Sequence, residues 1–288
     1  MRRSAFARCR KRGNYLFFDA RILSYGETGI FKSETPLSIV LFAMTSCCKQ
    51  PEHKVKILAH RGNASTGSEF TTDENTLDAL RRAQELNFDG IEFDVHLTSD
   101  DQIVIRHDNK INSELSCQGN TFDEVRAHVL PFGHQIPTLR EWLEQAKKTP
   151  HIVQMVELKS HKGDREKLLV TKCLEVIREL DMVDQVYMLS FKTSTLDEVM
   201  RQEPNVKVLY NSSSLHHSLT PAEVKEKGYH AVSYNINVIL NHTDWIEQFH
   251  NYGIETFLWM VNTPYTFNIA KELGFTWATT DFYDAITK

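Results

Sequence analysis

From about residue 56 onward, short apolar runs recur along the chain, and each stops at polar side chains capable of chemistry. Lys56-Ile57-Leu58-Ala59 ends in His60-Arg61-Gly62, and Ile152-Val153-Gln154-Met155-Val156 ends in Glu157-Leu158-Lys159. The stretch from Ile91 to Asp108 opens as a strand whose acidic residues, Glu92 and Asp94, are two positions apart and so share one face. A turn over Thr98-Ser99-Asp100-Asp101-Gln102 then reverses the chain. The β-branched arm from Ile103 to Arg106 brings His107 and Asp108 back to the level of the carboxylates.

Between and after these runs the period changes to that of helices. Leu77, Leu80, Ala83 and Leu86 mark a helix over 76–86, and Pro137 leads into another over 139–147. Beyond the strand at 153–158 the alternation is regular. Helices are expected at 165–180, 194–202, 221–227, 242–252 and 264–273, with strands at 185–190, 207–210, 231–234, 255–259 and 277–280. Leaving aside the returning arm, this makes eight strands alternating with helices, which predicts a closed parallel sheet, the TIM (β/α)8 barrel, with its active site at the C-terminal ends of the strands. The interval between the second and third strands is the exception. It lacks an ordinary helical crossover, and the returning arm and a short insertion over 109–133 occupy it.

Composition narrows the picture. The 288 residues are 41% hydrophobic and 25% charged, which suits one large globular domain of the barrel's usual size, about 250 residues. The net charge of −5 is unevenly spread: residues 1–35 hold eight Lys/Arg and three Asp/Glu, leaving 25 Lys/Arg and 35 Asp/Glu in the rest. An acidic domain is a poor partner for nucleic acid, whose phosphates would repel it. Residues 1–52 read as a basic leader, a signal-like segment and a linker, and 53–288 as the barrel domain. The apolar run 36–45 is too short to span a bilayer as a helix but fits a signal-peptide core. Met44-Thr45-Ser46-Cys47 resembles a bacterial lipoprotein cleavage box, with Met44 where leucine is usual. This predicts an extracytoplasmic protein, periplasmic or at the cell surface, attached to the membrane through lipidated Cys47. A helix packed on the barrel is the competing reading of the same segment and would leave the protein cytoplasmic. Of the five cysteines, Cys117 and Cys173 lie in the barrel domain without metal-site spacing, and Cys173 fits a helical core position.

Two carboxylates on one strand face repel unless a cation lies between them, and a hard divalent ion is the usual solution. With His107 returned beside them, Glu92 and Asp94 form a plausible hydrolytic centre.

The ordered set His60-Arg61-Gly62, Glu74-Asn75-Thr76, Asp89-Gly90-Ile91-Glu92-Phe93-Asp94-Val95, Thr98, Asp100, His107-Asp108, Pro137-Thr138-Leu139 and Glu157-Leu158-Lys159 resembles the glycerophosphodiester phosphodiesterase family, from about Lys56 to the C-terminus. The resemblance implies a metal-dependent hydrolase that cleaves glycerophosphodiesters to glycerol 3-phosphate and an alcohol. Glu92, Asp94 and Glu157 would ligate one divalent cation, and all-oxygen donors favour Mg2+ or Ca2+ over zinc. Alternation also places Lys159 on the face of Glu157, where a plain salt bridge is an equal reading of that glutamate. His60 and His107 would be the acid–base pair, without the sequence saying which is which. Arg61 and Lys159 would neutralise phosphate charge. Asn63 could add a hydrogen bond, Asp108 could orient an imidazole, and Glu74 and Asp281 would be structural. Phe191 and Trp259 end their strands at the same mouth, where they would either touch substrate or pack the barrel.

Two departures from the family pattern stand out. Asp73 replaces the proline that usually precedes Glu-Asn-Thr, and Asn112-Ser113-Glu114 replaces an Arg-Thr-Thr that often follows His-Asp. The competing functions are a related barrel phosphodiesterase acting on intact phospholipid, sphingolipid or inositol lipid, and a lipoprotein that binds a phosphoester without cleaving it.

Overall fold

A computed structural model describes residues 54–62, 65–66 and 69–283, together with the backbone of two N-terminal strands. Asn63 and the segment around Cys47 lie outside the described residues. The chain divides into two compact units, Met1–Glu52 and His53–Lys288. In the first unit, Ala5–Arg12 and Tyr15–Ile22 pair as an antiparallel hairpin, an element that the apolar pattern there does not signal. No helix among the described residues is long and apolar enough to cross a membrane.

The second unit is the expected TIM barrel. Its parallel strands are β1 (Lys56–Ala59), β2 (Gly90–Leu97), β3 (Val153–Leu158), β4 (Val186–Ser190), β5 (Lys207–Ser212), β6 (Ala231–Asn235), β7 (Glu255–Trp259) and β8 (Trp277–Thr280). Each pairs with the next, and β1 closes the ring by pairing with both β8 and β2. The helices that cover it are α1 (Leu77–Glu85), α2 (Phe122–Ala127), α3 (Leu139–Ala146), α4 (Arg165–Glu179), α5 (Thr193–Gln202), α6 (Pro221–Lys227), α7 (Ile236–Asn241), α8 (Trp245–Asn251) and α9 (Pro264–Leu273).

Three features depart from the sequence expectation. The interval between β2 and β3 does not lack a helical crossover: the helix expected over 139–147 supplies it as α3, reached after the arm and the insertion. It starts at a capping box in which Thr138 and Glu141 satisfy each other's backbone N–H groups. The insertion contains the short helix α2, started by the same device at Thr121 and Glu124. The helix expected over 242–252 is present as α8, and an unexpected short helix, α7, precedes it, ending at His242 with φ −142°. Cys117 and Cys173 are both buried free thiols, so no disulfide joins them.

Strand β2 is longer than its neighbour β1 and is buried along its whole length. Its first half pairs with β1, through Leu58 beside Gly90, and its second half pairs antiparallel with the returning arm Ile103–Ile105. The arm is pinned by the Arg106 N–H, which donates to the Asp94 carbonyl at 2.9 Å. This anchors the residue just before His107 on one of the acidic positions.

Inside the barrel, Leu58, Met155, Leu189, Leu209, Phe257 and Trp277 pack into an apolar plug. Strand β2 contributes Gly90 at this level. A Cβ there would stand 2.6 Å from the Leu58 side chain, so the plug closes over a bare backbone. Two residues further along β2 the inward positions become Glu92 and then Asp94. The plug is the floor on which the polar site rests, at the C-terminal ends of the strands.

Candidate active site

Register places the carboxylates together. Asp94 on β2 lies beside Glu157 on β3, and Glu92 is one inward position below Asp94. Each of the three residues offers a carboxylate oxygen within 4.8 Å of the others, and all three are at least nine-tenths buried. Lys159, just past the end of β3, sets its ammonium 2.5 Å from Glu157 Oε1 and 2.7 Å from Asp94 Oδ1. The salt bridge and the acidic cluster expected as alternatives for Glu157 are therefore both present.

The second oxygens of the cluster are held from the β1 side. The Arg61 N–H donates to Glu92 Oε2 at 2.9 Å. It can do so because Arg61 takes left-handed backbone geometry, φ 52° and ψ 34°, in the tight turn His60–Gly62. Asn75, also left-handed at φ 58°, donates from Nδ2 to Asp94 Oδ2 at 2.8 Å and accepts the Asp94 N–H on Oδ1 at 3.2 Å. Asp94 Oδ1 is different. It is buried and faces the Lys159 ammonium at 2.7 Å, its one polar partner among the described residues.

Burial decides the protonation of this cluster. It pushes the Glu92 carboxyl well above the usual carboxylate range, with the charge of Asp94 adding to the shift. Glu157 is raised for the same two reasons. Burial would raise Asp94 too, but the positive charges of Lys159 and His107 outweigh it and hold its pKa low. For Lys159, burial opposes the charge, but Asp94 and Glu157 prevail and keep it an ammonium. Three buried carboxylates thus stand around one ammonium, which reaches only Asp94 and Glu157. With all three ionised such an all-oxygen donor set is two positive charges short, which fits a hard divalent cation.

The two histidines flank this cluster, each with its own carboxylate. His60 donates through Nδ1 to Asp281 Oδ1 at 2.6 Å, and Asp281 is fixed in turn by Asn262 Nδ2 at 2.8 Å. His107 donates through Nδ1 to Asp108 Oδ1 at 2.9 Å. Carboxylates accept and cannot donate, so both bonds place a proton on Nδ1 and leave Nε2 of each ring for substrate. Their environments pull in opposite directions. For His60, burial favours the neutral ring, but the Asp281 hydrogen bond and the charge of Glu92 win and raise its pKa above the usual 6.5. For His107, burial lowers the pKa against the pull of Asp94, and the positive charges of Lys159 and Arg61 act with burial.

The guanidinium of Arg61 is gripped through one nitrogen by both oxygens of Glu74 at 3.0 Å, while its buried Nε–H has no partner among the described residues. Phe191 and Trp259 meet edge to face, with ring centroids 6.3 Å apart, and Phe191 remains 44% exposed. They pack on each other at the mouth without being sealed from it.

The structure therefore brings His60, Arg61, Glu92, Asp94, His107, Glu157 and Lys159 to one mouth. Sequence reading gave no task to Asn75 or Asn262 and took Asp281 for structural. The late Thr280-Asp281 was visible, but its pairing with His60 depends on barrel closure, which no local pattern encodes.

Comparison with known proteins agrees with this geometry. The model of the glycerophosphoryl diester phosphodiesterase family matches residues 60–285. A glycerophosphodiester phosphodiesterase of Caldanaerobacter subterraneus is 30% identical over 170 residues, an alignment covering 54% of this chain and 65% of that one, just under two thirds. The crystal structure of a glycerophosphodiester phosphodiesterase from Parabacteroides distasonis superposes with a TM-score of 0.74 at 30% identity, over 80% of this chain and 94% of that one. An Oleispira antarctica phosphodiesterase, solved in complex with the product sn-glycerol-3-phosphate, shares the fold with a TM-score of 0.66 at 20% identity, over 80% of this chain and 94% of that one. The chain belongs to the glycerophosphoryl diester phosphodiesterase family.

Proposed function

We propose that this family member hydrolyses glycerophosphodiesters to glycerol 3-phosphate and an alcohol, with His60 as general acid and His107 as general base. The observation that carries the reading is geometric: two imidazoles flank one acidic cluster, and the largely buried Asp281 grips His60 at 2.6 Å, favouring its charged form, while His107 has only the exposed Asp108 at 2.9 Å. Neutral His107, with its proton on Nδ1, has a lone pair on Nε2 to take the proton of the attacking oxygen. That oxygen is either water or a glycerol hydroxyl, whose attack would give a cyclic phosphate for water to open. Protonated His60 gives its Nε2 proton to the departing alcohol oxygen as the P–O bond breaks.

Glu92, Asp94 and Glu157 would hold the divalent cation, Mg2+ or Ca2+, and the convergence of their buried carboxylate oxygens within 4.8 Å of one another supports this assignment. When bound, such a cation supplies positive charge against the phosphoryl oxygens. Lys159 and the open Nε–H of Arg61 add to that charge from the protein side. The product complex of the Oleispira antarctica relative supports glycerol 3-phosphate as the released half.

The test is release of glycerol 3-phosphate from glycerophosphoglycerol, glycerophosphocholine and glycerophosphoethanolamine by the full chain, in EDTA and after Mg2+ or Ca2+ is restored. Chelator-sensitive release rescued by one ion is expected. A folded protein inert towards all three diesters under every condition would refute the reading. We further infer, from the cleavage-box residues alone, that Cys47 carries the membrane anchor. Mass spectrometry of the mature protein should show diacylated Cys47, and an intact Met1 terminus would remove this inference.

A further inference from the structure

Beside the acidic cluster, a cavity of about 430 Å³ opens between the insertion and the end of β3, a volume suited to a small ligand. Its walls include Asn109 and Gln118 from the insertion, Lys159 and Ser160 after β3, His96 of β2, and Phe191. It shares Lys159 and Glu157 with the acidic cluster and extends from them toward the insertion.

The amides of its wall are fixed in orientation. Gln118 donates from Nε2 both to the Ser160 carbonyl and to His96 Nδ1, at 3.0 Å each. Asn109 accepts the Gln118 backbone N–H on Oδ1 at 2.8 Å. Partners that can only accept, or only donate, rule out the flipped amides. His96 in turn donates from Nε2 to the His107 carbonyl at 3.1 Å, so it is a neutral ring with a lone pair on Nδ1. Among the amides, Gln118 Oε1 and Asn109 Nδ2 are left as a spare acceptor and a spare donor, and Ser160 adds a hydroxyl to the wall.

The charges around the cavity are one-sided. Lys159 is an ammonium, and Glu157, the acidic residue among the lining side chains, is already engaged by it. A cationic head group would find no free carboxylate there and would face a like charge. A quaternary ammonium would also leave the spare amide groups without hydrogen bonds. A hydroxyl both donates and accepts, and two neighbouring hydroxyls would satisfy Gln118 Oε1 and Asn109 Nδ2 together. The rim is exposed at Asn109 and Phe191, so groups of different size can extend outward from it.

We propose that this cavity is the subsite for the departing alcohol and that it selects uncharged, hydroxyl-bearing alcohols such as glycerol, inositol or a sugar over choline and ethanolamine. The inference rests on the hydrolase reading above and deepens it.

The test compares kcat/KM of the full chain for glycerophosphoglycerol and glycerophosphoinositol with that for glycerophosphocholine and glycerophosphoethanolamine. The hydroxylated substrates should lead by about tenfold or more, the worth of one well-made polar contact. Asn109→Asp keeps the oxygen that accepts from Gln118 and turns the spare donor into a carboxylate. It should move the ratio toward the cationic substrates by about tenfold, and Asn109→Ala should only narrow it. A wild-type preference for choline or ethanolamine would overturn the subsite while leaving the hydrolase intact. So would an Asn109→Asp enzyme that loses rate on all four substrates alike, which would mean that the cavity holds the constant glycerol phosphate half. Inertness toward all four would fell the hydrolase reading and this inference with it.

Discussion

The Nδ1 of His60 lies 2.6 Å from a carboxylate oxygen of Asp281, a residue 221 positions further along the chain. The pair exists because β1 and β8 close the barrel, which sets the residue after each strand side by side. The carboxylate stabilises the charged imidazole, and that is the form a general acid needs.

The link gives a pH prediction. In the proposed roles His60 acts protonated, and its pKa is raised, so activity should fall as pH rises through that elevated value. His107 acts neutral in the same proposal, and its pKa is lowered, so activity should fall as pH drops through that depressed value. The profile of kcat/KM should be a bell enclosing the usual histidine pKa of about 6.5. Asp281→Asn removes the main cause of the upward shift and should move the alkaline limb to lower pH while leaving the acid limb in place. An unmoved alkaline limb would separate His60 from the acid role.

Glu92 offers a test independent of turnover. In the metal-free protein its folded pKa stands above the unfolded value near 4.5, so the folded state holds the proton that the unfolded state releases. Stability should therefore fall as pH rises from 4.5 toward the folded pKa. Glu92→Gln deletes that penalty, and the metal-free variant should melt higher than metal-free wild type at neutral pH. Saturating Mg2+ or Ca2+ should stabilise wild type by about 2.7 kcal/mol at a hundred times Kd and leave the variant unchanged. Thermal melts with and without ion decide it. An equal ion-induced rise in both proteins would move the metal site elsewhere.

Much of this was legible because local patterns carried it. The alternation that put Glu92 and Asp94 on one face, and Glu157 and Lys159 on another, needs only the two-residue period of a strand. The β1 motif and the returning arm likewise showed where His60 and His107 would stand. The missing parts came from two sources. Asp281, Asn75 and Asn262 act across long stretches of chain, and their roles exist only once the ring closes and the loop before α1 turns back on β2. Helix α2, by contrast, has a local signal, since Thr121 and Glu124 have capping-box spacing, but it is too short for a helical apolar period to mark it. Helix α7 left less signal, since Asn235 caps it by accepting the Asn237 N–H, a contact that follows from where β6 ends.

Gly62 ties the site to the frame. It has φ 79°, and a Cβ there would lie 3.1 Å from both the Ala79 Cβ and the Trp142 ring. Gly62→Ala should therefore incur backbone strain of about 1–3 kcal/mol and crowding of similar size, about 1–3 kcal/mol. Urea denaturation should show a lower midpoint at unchanged slope. Because the same turn aims the Arg61 N–H at Glu92, kcat/KM should fall even under conditions where the variant is fully folded. A variant with both stability and activity of wild type would show that the turn has slack that these distances exclude.

His107 differs from His60 in how it is held. Its carboxylate partner, Asp108, is the next residue and is largely exposed, so it orients the ring without burying an ion pair. The firmer constraints are on the backbone: Arg106 N–H on the Asp94 carbonyl and the His107 carbonyl on His96 Nε2. Loss of the imidazole should therefore cost chemistry and spare the frame. His107→Ala is expected to lower kcat by about 10²- to 10⁴-fold, the range for a positioned base, with a much smaller change in KM. Asp108→Asn should cost far less, because the amide can still accept from Nδ1 through its oxygen. Steady-state kinetics at the wild-type pH optimum separate the cases. A rise in KM at unchanged kcat would make His107 a binding group and leave the attacking oxygen without its base.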